Sequence, residues 1–457
     1  MQVLKNGLNS LEGGLQDGTE FDLVVIGAGG AGLSAAVFAA MDGAKVLVVE
    51  RTEFVGGTTA WSAGTTWVPG THHSATVNPA DTLAEAEKYL NHAVGEQAPA
   101  ALREAFLKHG AQAVAKIEAQ SSVQYRPYAK HPDYISDLPG ATLSGRALEP
   151  LPFDGRLLGE LFPLLRPPIP EFTVLGGMMV DRTDINHLLA MTQSWASLKH
   201  SVRIVLRHLS DRLSHARGTR LVMGNALVGR LLHSLSQHAH ATLALNTSVD
   251  ALERDASGRV VAVGLSSATG QARVLAKKGV VLASGGFNRD PVLRSQKLPG
   301  IPAEWCPAAP GHTGEALALA RSLGAVEGQG AQSPAFWAPV SLRRRADGST
   351  AAFPHFVMDR AKPGMITVNQ AGERFVNEST SYHLFALGMQ AARQAVPAYL
   401  IADAKALRQY GMGMVRPGGK GMAPFLADGY LTEAASLAEL GTAKPPRRQC
   451  VEVGARF

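Results

Sequence analysis

Apolar residues fall into several distinct rhythms along this chain of 457 residues. After a polar lead, residues 1–20, the run Phe21 to Ile26 (FDLVVI) is compact and β-rich, and Gly27-Ala28-Gly29-Gly30-Ala31-Gly32 follows at once. A small-residue helical pattern then extends to Met41, and a second strand, Lys45 to Val49, ends in Glu50. This succession predicts a βαβ unit with its glycines at the first turn. Residues Glu53 to Gly70 are too polar and broken for either period, so they predict a loop; helical periodicity resumes at Asp81 to Val94 and Ala98 to Gln120.

A long irregular stretch rich in Pro, Gly and Tyr occupies Ser121 to Glu171, and loops of that length are usually functional or disordered. Helical patterns dominate from Asp184 to His240, with basic residues along one face, which predicts amphipathic surface helices rather than a membrane anchor. Thr247 to Glu253 and Arg259 to Leu265, joined at Asp255-Ala256-Ser257-Gly258, predict a β-hairpin, and Gly279 to Ala283 a buried strand. From Ala331 the pattern changes to short strands and loops, so the division expected is a first domain over 21–330 built on the βαβ unit, a second lobe over 331–442 and an atypical tail over 443–457.

Composition narrows the picture further. An apolar content of 46% with 18% charged residues is that of a globular enzyme with a large core. The net charge of +6 comes from dispersed basic residues, which predicts solvated surface and no nucleic-acid partner. Cys306 and Cys450 form no disulfide framework and have no metal-ligand spacing, which fits a reducing cytoplasm. The first twenty residues lack the apolar core of a secretory signal, and no apolar run is long enough for a membrane span. Histidines gather between His200 and His240 and at His72-His73 without HExxH or comparable spacing, so no metal is expected.

The chemistry begins at the glycine turn. Gly27 permits the tight turn, Gly29 lets a pyrophosphate approach the backbone, and Gly32 allows close helix packing; the helix N-terminus favours the anion. Glu50, eighteen positions beyond the last glycine, is placed to accept hydrogen bonds from a ribose diol. The early position of the turn, followed after Arg51 by Gly56-Gly57-Thr58-Thr59, favours FAD over NAD, because small residues let a flavin or its diphosphate lie against the main chain.

Five motifs together carry a family resemblance over residues 21 to about 440: DLVVIGAGGAGLSAA, VVERTEFVGGTTAWSAGTTWVP, VVLASGGF, GHTGEAL and ITVNQAGERFVNE. The sequence resembles the FAD-dependent fumarate reductase and 3-ketosteroid dehydrogenase family of flavoproteins. That likeness implies an α/β fold: a doubly wound, Rossmann-like FAD-binding domain with a smaller α+β substrate-capping domain. It also implies that Gly57, Thr58, Thr59, Ser62 and Gly64 lie near the flavin, that Gly285 and Gly286 lie beneath the adenosine end of FAD, and that Val249 lies near the adenine.

The ketosteroid branch resembles the chain more closely, through His131-Pro132-Asp133-Tyr134 and Gly145-Arg146-Ala147-Leu148-Glu149-Pro150. In that branch Tyr134 matches a catalytic tyrosine that assists proton removal or stabilises an enolate, while flavin N5 exchanges a hydride with the neighbouring carbon of a hydrophobic ketone. An external electron acceptor is then required. The branch takes a second tyrosine from the capping lobe, and this chain has none between Tyr134 and Tyr382, so Phe336-Trp337 is expected at that place. The apolar stretches Leu151 to Phe172 and Phe336 to Val357 are expected to line the pocket.

The fumarate branch is the alternative, acting on small dicarboxylates. There Glu378 matches the VNE glutamate, either as a proton relay or as a structural ion pair with an arginine, and Arg408 lies close to the position of a proton-donating arginine. The resemblance also implies a Gly-rich closing segment where this chain reads KPPRRQCVEVGARF, so a truncated, inactive remnant or scaffold is a third reading.

Overall fold

The computed structural model of the protein describes residues 2–3, 9–10, 15–328, 331–345, 347–419, 421–442 and 452–455. The chain enters through β1 (Glu20–Ile26), turns into α1 (Gly30–Met41) and returns as β2 (Val46–Val49), which is the βαβ unit predicted from the pattern. A small three-stranded sheet follows, from β3 (Thr66–Trp67), β4 (Tyr125–Pro127) and β5 (Ala147–Pro150), in the order β3-β5-β4. Between β3 and β4 run α2 (Leu83–Ala93), whose Thr82 cap accepts the Glu85 N–H at 3.2 Å, and α3 (Ala100–Gln120). Three further helices, α4 (Arg182–Leu189), α5 (Trp195–Asp211) and α6 (Met223–Ser236), lead to β6 (Ala241–Ala244).

The main sheet has β6, β2, β1 and the long β9 (Gly270–Leu282) side by side and parallel. Beyond β9 it continues antiparallel through β8 (Val260–Ser267) and β7 (Thr247–Arg254), the expected hairpin. Continuous burial of VLVV in β2 and ATLA in β6 is what a parallel sheet covered on both faces demands. Alternate residues separate the two faces: Val25, Val46 and Val48 join α1 and α6, while Val24, Ile26, Leu47 and Val49 join Val249, Val263 and Leu265. Alanines 36 and 40 of α1 let it approach Leu227, Val228 and Leu231 of α6.

Two expectations change here. Much of the stretch Leu151 to Phe172, expected to line a pocket, fills the core instead: Phe153, Leu158, Leu161, Phe162 and Leu165 are buried beneath α6. The strand expected at Gly279 starts nine residues earlier, at Gly270, because its first half pairs with β8 before its second half joins β1, and its end is not buried as expected: Val280 and Val281 are half-buried and Leu282 is exposed.

After α7 (Pro291–Lys297) and α8 (Glu315–Ser322), the later residues build their own sheets. One is the hairpin β10 (Val340–Arg344) with β11 (Thr350–Pro354). The other contains β12 (Met365–Val368), β13 (Tyr399–Asp403) and β14 (Leu431–Ala434), joined by β15 (Glu452–Ala455), which runs parallel to both β13 and β14. The atypical tail contains a strand, and the rest of it lies outside the described residues, as does half of the polar lead. Among the helices of this part are α9 (Tyr382–Ala391) and α10 (Ala404–Tyr410); Phe353, Met365, Leu400, Leu407 and Tyr430 are members of its core. No described helix is long and apolar enough to cross a membrane.

Candidate active site

At the glycine turn the backbone makes its closest approaches. Gly27 has φ +106°, and a Cβ there would stand 2.4 Å from the Ala283 carbonyl oxygen; one on Gly32 would stand 1.8 Å from the Gly27 oxygen. Larger residues would push β1, α1 and the end of β9 apart. Gly29 differs, since nothing lies within 4 Å of its added Cβ, leaving an open approach to the start of α1, where the first N–H groups lack partners within the helix.

Glu50, buried at the end of β2, accepts from the Ala28 N–H at 3.0 Å and from the Thr52 N–H and hydroxyl at 2.9 and 2.8 Å. It lines a cleft of about 470 Å³ together with Gly27, Ser248, Val249, Ser284 and Gly311. Gly27, Glu50 and Val249, far apart in sequence, thus meet in one place. Gly285 backs the ring of His312, and Gly286 lies against the Asn288 side chain.

The loop after Arg51 folds over the start of α1. The Gly30 N–H donates to the Thr59 hydroxyl at 3.1 Å, Gly57 faces Gly29, and the Thr58 hydroxyl accepts from the Ala309 N–H at 3.0 Å and meets His312 Nε2 at 3.1 Å. Ser62 and Gly64 instead hold the loop's own shape. The Ser62 hydroxyl donates to the Thr59 carbonyl at 2.8 Å and accepts from the Gly64 N–H at 3.0 Å, while Gly64 packs on Gly224. Arg166, buried, has its guanidinium over the rings of Phe54 and Trp61 and donates to the Thr52 hydroxyl at 2.8 Å.

This wall fits a dinucleotide. It offers an open glycine face at a helix start, a buried carboxylate at the cleft, and a buried His312 Nδ1 with no hydrogen-bond partner. Burial holds the His312 imidazole below its ordinary pKa, so it is neutral and keeps one nitrogen as acceptor.

Tyr134 sits in the loop between β4 and β5, held by buried charges. The carboxylate of its neighbour Asp133 accepts from Trp67 Nε1 at 2.7 Å, from Arg146 at 2.8 Å and from the Thr142 N–H at 3.0 Å. Arg146, 1% exposed, also grips Asp81 at 2.6 and 2.8 Å. The Tyr134 ring meets Tyr382 edge-on at 5.6 Å and His131 at 5.5 Å, and Tyr128 stacks edge-on against His131 at 4.7 Å. Burial first, then the neighbouring Tyr382, pushes the Tyr134 phenol well above the ordinary tyrosine value.

Tyr382, rather than Phe336-Trp337, stands against the Tyr134 ring. Phe336 is 95% exposed, and Trp337 donates its indole N–H to Ser333 at 2.6 Å. Tyr382 is invisible to sequence reasoning because nothing in the order of residues shows that the first residue of α9 returns to the Tyr134 loop. Its one signal is the Ser381 cap, which accepts the Leu384 N–H at 3.2 Å and starts the helix there, just after the VNE motif. Asp81 and Trp67 are hidden for the same reason.

Glu378 lies away from this cluster. One of its oxygens accepts the Thr367 N–H at 2.7 Å and the other meets Arg374 at 2.5 Å. Burial opposes its charge, but these bonds prevail and hold its carboxyl below the usual range, so it is a fixed anion of the β12 region. Arg408 on α10 is exposed. His72 and His73, whose sequence spacing shows no metal motif, both reach Glu118, at 3.3 and 3.0 Å.

A cavity of about 1090 Å³ lies between the two parts of the chain, lined by Thr58, Trp305, Trp337, Val340, Ala386 and Met389 among others. Arg294 in that wall directs its guanidinium to the carbonyls of Asn288, Ile301 and Pro302, at 2.9–3.1 Å, rather than into the space.

A strand, glycine turn and helix with a buried acid at the next strand's end, joined to a second lobe across a cavity, define a two-lobed flavoprotein. Residues 22–441 match the family model described as FAD binding domain. The chain is 34% identical over 425 residues to the 4-oxocyclohex-2-ene-1-carboxylate 5-dehydrogenase of Sinomonas cyclohexanicum, covering 92% of this chain and 71% of that protein. It is 31% identical to the 3-oxosteroid 1-dehydrogenase of Mycolicibacterium smegmatis, covering 93% and 74%. The crystal structure of 3-ketosteroid delta1-dehydrogenase from Sterolibacterium denitrificans superposes with a TM-score of 0.77 at 30% identity, over 90% of this chain and 74% of the other. The chain belongs to the FAD-dependent flavoprotein family of the 3-ketosteroid dehydrogenases and fumarate reductases, and it is an FAD-dependent oxidoreductase.

Proposed function

We propose that this oxidoreductase desaturates the CH–CH bond next to the carbonyl of an apolar ring ketone, of the 3-oxosteroid or oxocyclohexene kind, with residues 331–442 as its cap. The observation that carries this reading is the edge-on pair of Tyr134 and Tyr382. Removing two hydrogens from adjacent carbons means removing a proton beside the carbonyl and a hydride from the next carbon. FAD, held by the glycine turn, Glu50 and the Thr58-Thr59 loop, supplies the hydride acceptor. Tyr382, as the phenolate, takes the proton, and the Tyr134 phenol, kept neutral by burial, stands edge-on beside it and holds its ring in place.

A ring ketone suits the cavity better than a small dicarboxylate. Its walls are largely apolar, Arg294 is turned to backbone carbonyls, and Arg408 is exposed. The electron acceptor is a separate molecule in this reading, and the buried free thiol of Cys306 suits a reducing compartment such as the cytoplasm.

The test is anaerobic mixing of the FAD-loaded protein with a 3-oxosteroid or with 4-oxocyclohex-2-ene-1-carboxylate, following the visible flavin absorbance. Bleaching by either ketone is expected. Flavin-loaded protein that no ring ketone bleaches, but whose reduced form fumarate reoxidises, would overturn the proposal in favour of the dicarboxylate reading; failure to retain FAD would favour an inactive remnant.

A further inference from the structure

Helix α5 wears its amphipathicity inside out. The residues it turns inward are Ser197, Ser201, His208 and Asp211 around a single Ile204, all buried. Their hydrogen bonds run inward: Ser197 meets His187 at 3.1 Å, His208 meets the Leu175 carbonyl at 2.9 Å, and Asp211 accepts from the Thr219 N–H and hydroxyl at 2.8 Å. Facing outward are Trp195, Val202, Leu206 and Leu209, with Leu213 in the turn that follows; Trp195 is 80% exposed, Leu206 60% and Leu213 89%. At 3.6 residues per turn these five positions share an arc of only about 60°. A helix packed on a protein core in water shows the opposite arrangement, so this stripe is matched to something other than water.

We propose that the outer face of α5 docks on the surface of an anionic phospholipid bilayer. The stripe combines a Trp with aliphatic side chains, and Lys199, Arg203 and Arg212 are exposed beside it. The segment from Trp195 to Arg212 contains one acid, Asp211, and that one is buried. A helix with this composition lies in the interface plane, its apolar side chains among the acyl chains and its cations at the headgroups. A second copy of the chain fits less well, because pairing two such faces brings their cations together. Docking of this kind requires no spanning helix, and it stands apart from the flavin site.

The experiment is co-sedimentation of the FAD-loaded full chain with vesicles of phosphatidylcholine alone or mixed equally with phosphatidylglycerol, at low and high salt. The wild type should pellet with the anionic vesicles and be released by salt. Leu206→Glu/Leu209→Glu should lower the bound fraction at fixed lipid by about tenfold or more. Lys199→Glu/Arg203→Glu, which alters only exposed side chains, should abolish the preference for anionic over neutral vesicles while leaving the thermal transition unchanged. Wild-type protein that stays in the supernatant with anionic vesicles at low salt overturns the proposal. Should it instead form a dimer that Leu206→Glu/Leu209→Glu dissociates, the occupant of this face is a second copy and the proposal is likewise overturned.

Discussion

At the glycine turn backbone touches backbone, with Gly32 against the Gly27 carbonyl and Gly27 against Ala283, whereas the loop that carries Tyr134 is held by side chains from four separate places in the chain, Trp67, Asp81, Asp133 and Arg146. The first arrangement tolerates no added atom, and therefore shows in the sequence as glycine. The second depends on charges meeting across dozens of residues, and therefore shows only as isolated polar residues in a loop. A cofactor cradle and a catalytic loop in one molecule can thus differ in how readily each is damaged and in how readily each is read.

Tyr134→Phe probes the loop's chemistry without touching its support. It should lower kcat by about 10²–10⁴-fold while FAD binding stays unchanged. Because the Tyr134 pKa is raised, its neutral form is favoured by folding; that stabilisation is complete below the ordinary tyrosine value near 10 and is lost as pH rises through the higher folded value. The alkaline fall in stability should therefore be weaker in Tyr134→Phe, which urea unfolding at increasing pH would detect.

Arg146→Met attacks the support instead. It leaves the buried carboxylates of Asp81 and Asp133 uncompensated and should cost about 3–5 kcal/mol, with turnover lost ahead of FAD retention. If flavin is released first, the two regions are not separable in the way the geometry indicates.

Gly32→Ala gives the reverse pattern. The added carbon meets the Gly27 oxygen and should cost about 1–3 kcal/mol of stability, seen by denaturant titration, with FAD lost on desalting. The smallest effect belongs to Ser62→Ala, which removes both turn hydrogen bonds of the hydroxyl at about 1–2 kcal/mol together and should leave the flavin spectrum unshifted. A spectral shift there would return Ser62 to the side of the flavin that the sequence resemblance implies for it.

Legibility in the sequence follows the same division. The FDLVVI strand, the turn, α1, Glu50 and the β7–β8 hairpin are local patterns, and they stand where periodicity and glycine spacing put them. Tyr134 is visible through its motif, but its partner Tyr382 lies 248 positions away on α9, and only tertiary packing selects it over Phe336. Leu151 to Phe172 misleads because an apolar stretch is the same whether it lines a cavity or fills a core; Leu158 and Leu161 are completely buried beneath α6. Helix α5 is amphipathic as its pattern predicts, with its polarity turned the other way, which a periodicity has no means of indicating.

The ion-paired trio of Asp81, Asp133 and Arg146 also constrains descent. A lineage that loses one member is left with a stranded buried charge, while one that exchanges all three for apolar residues of similar volume loses little or nothing. Single steps between those two states pass through a damaged protein, so the three positions should change together across relatives or not at all, and their covariation would be the imprint of that barrier.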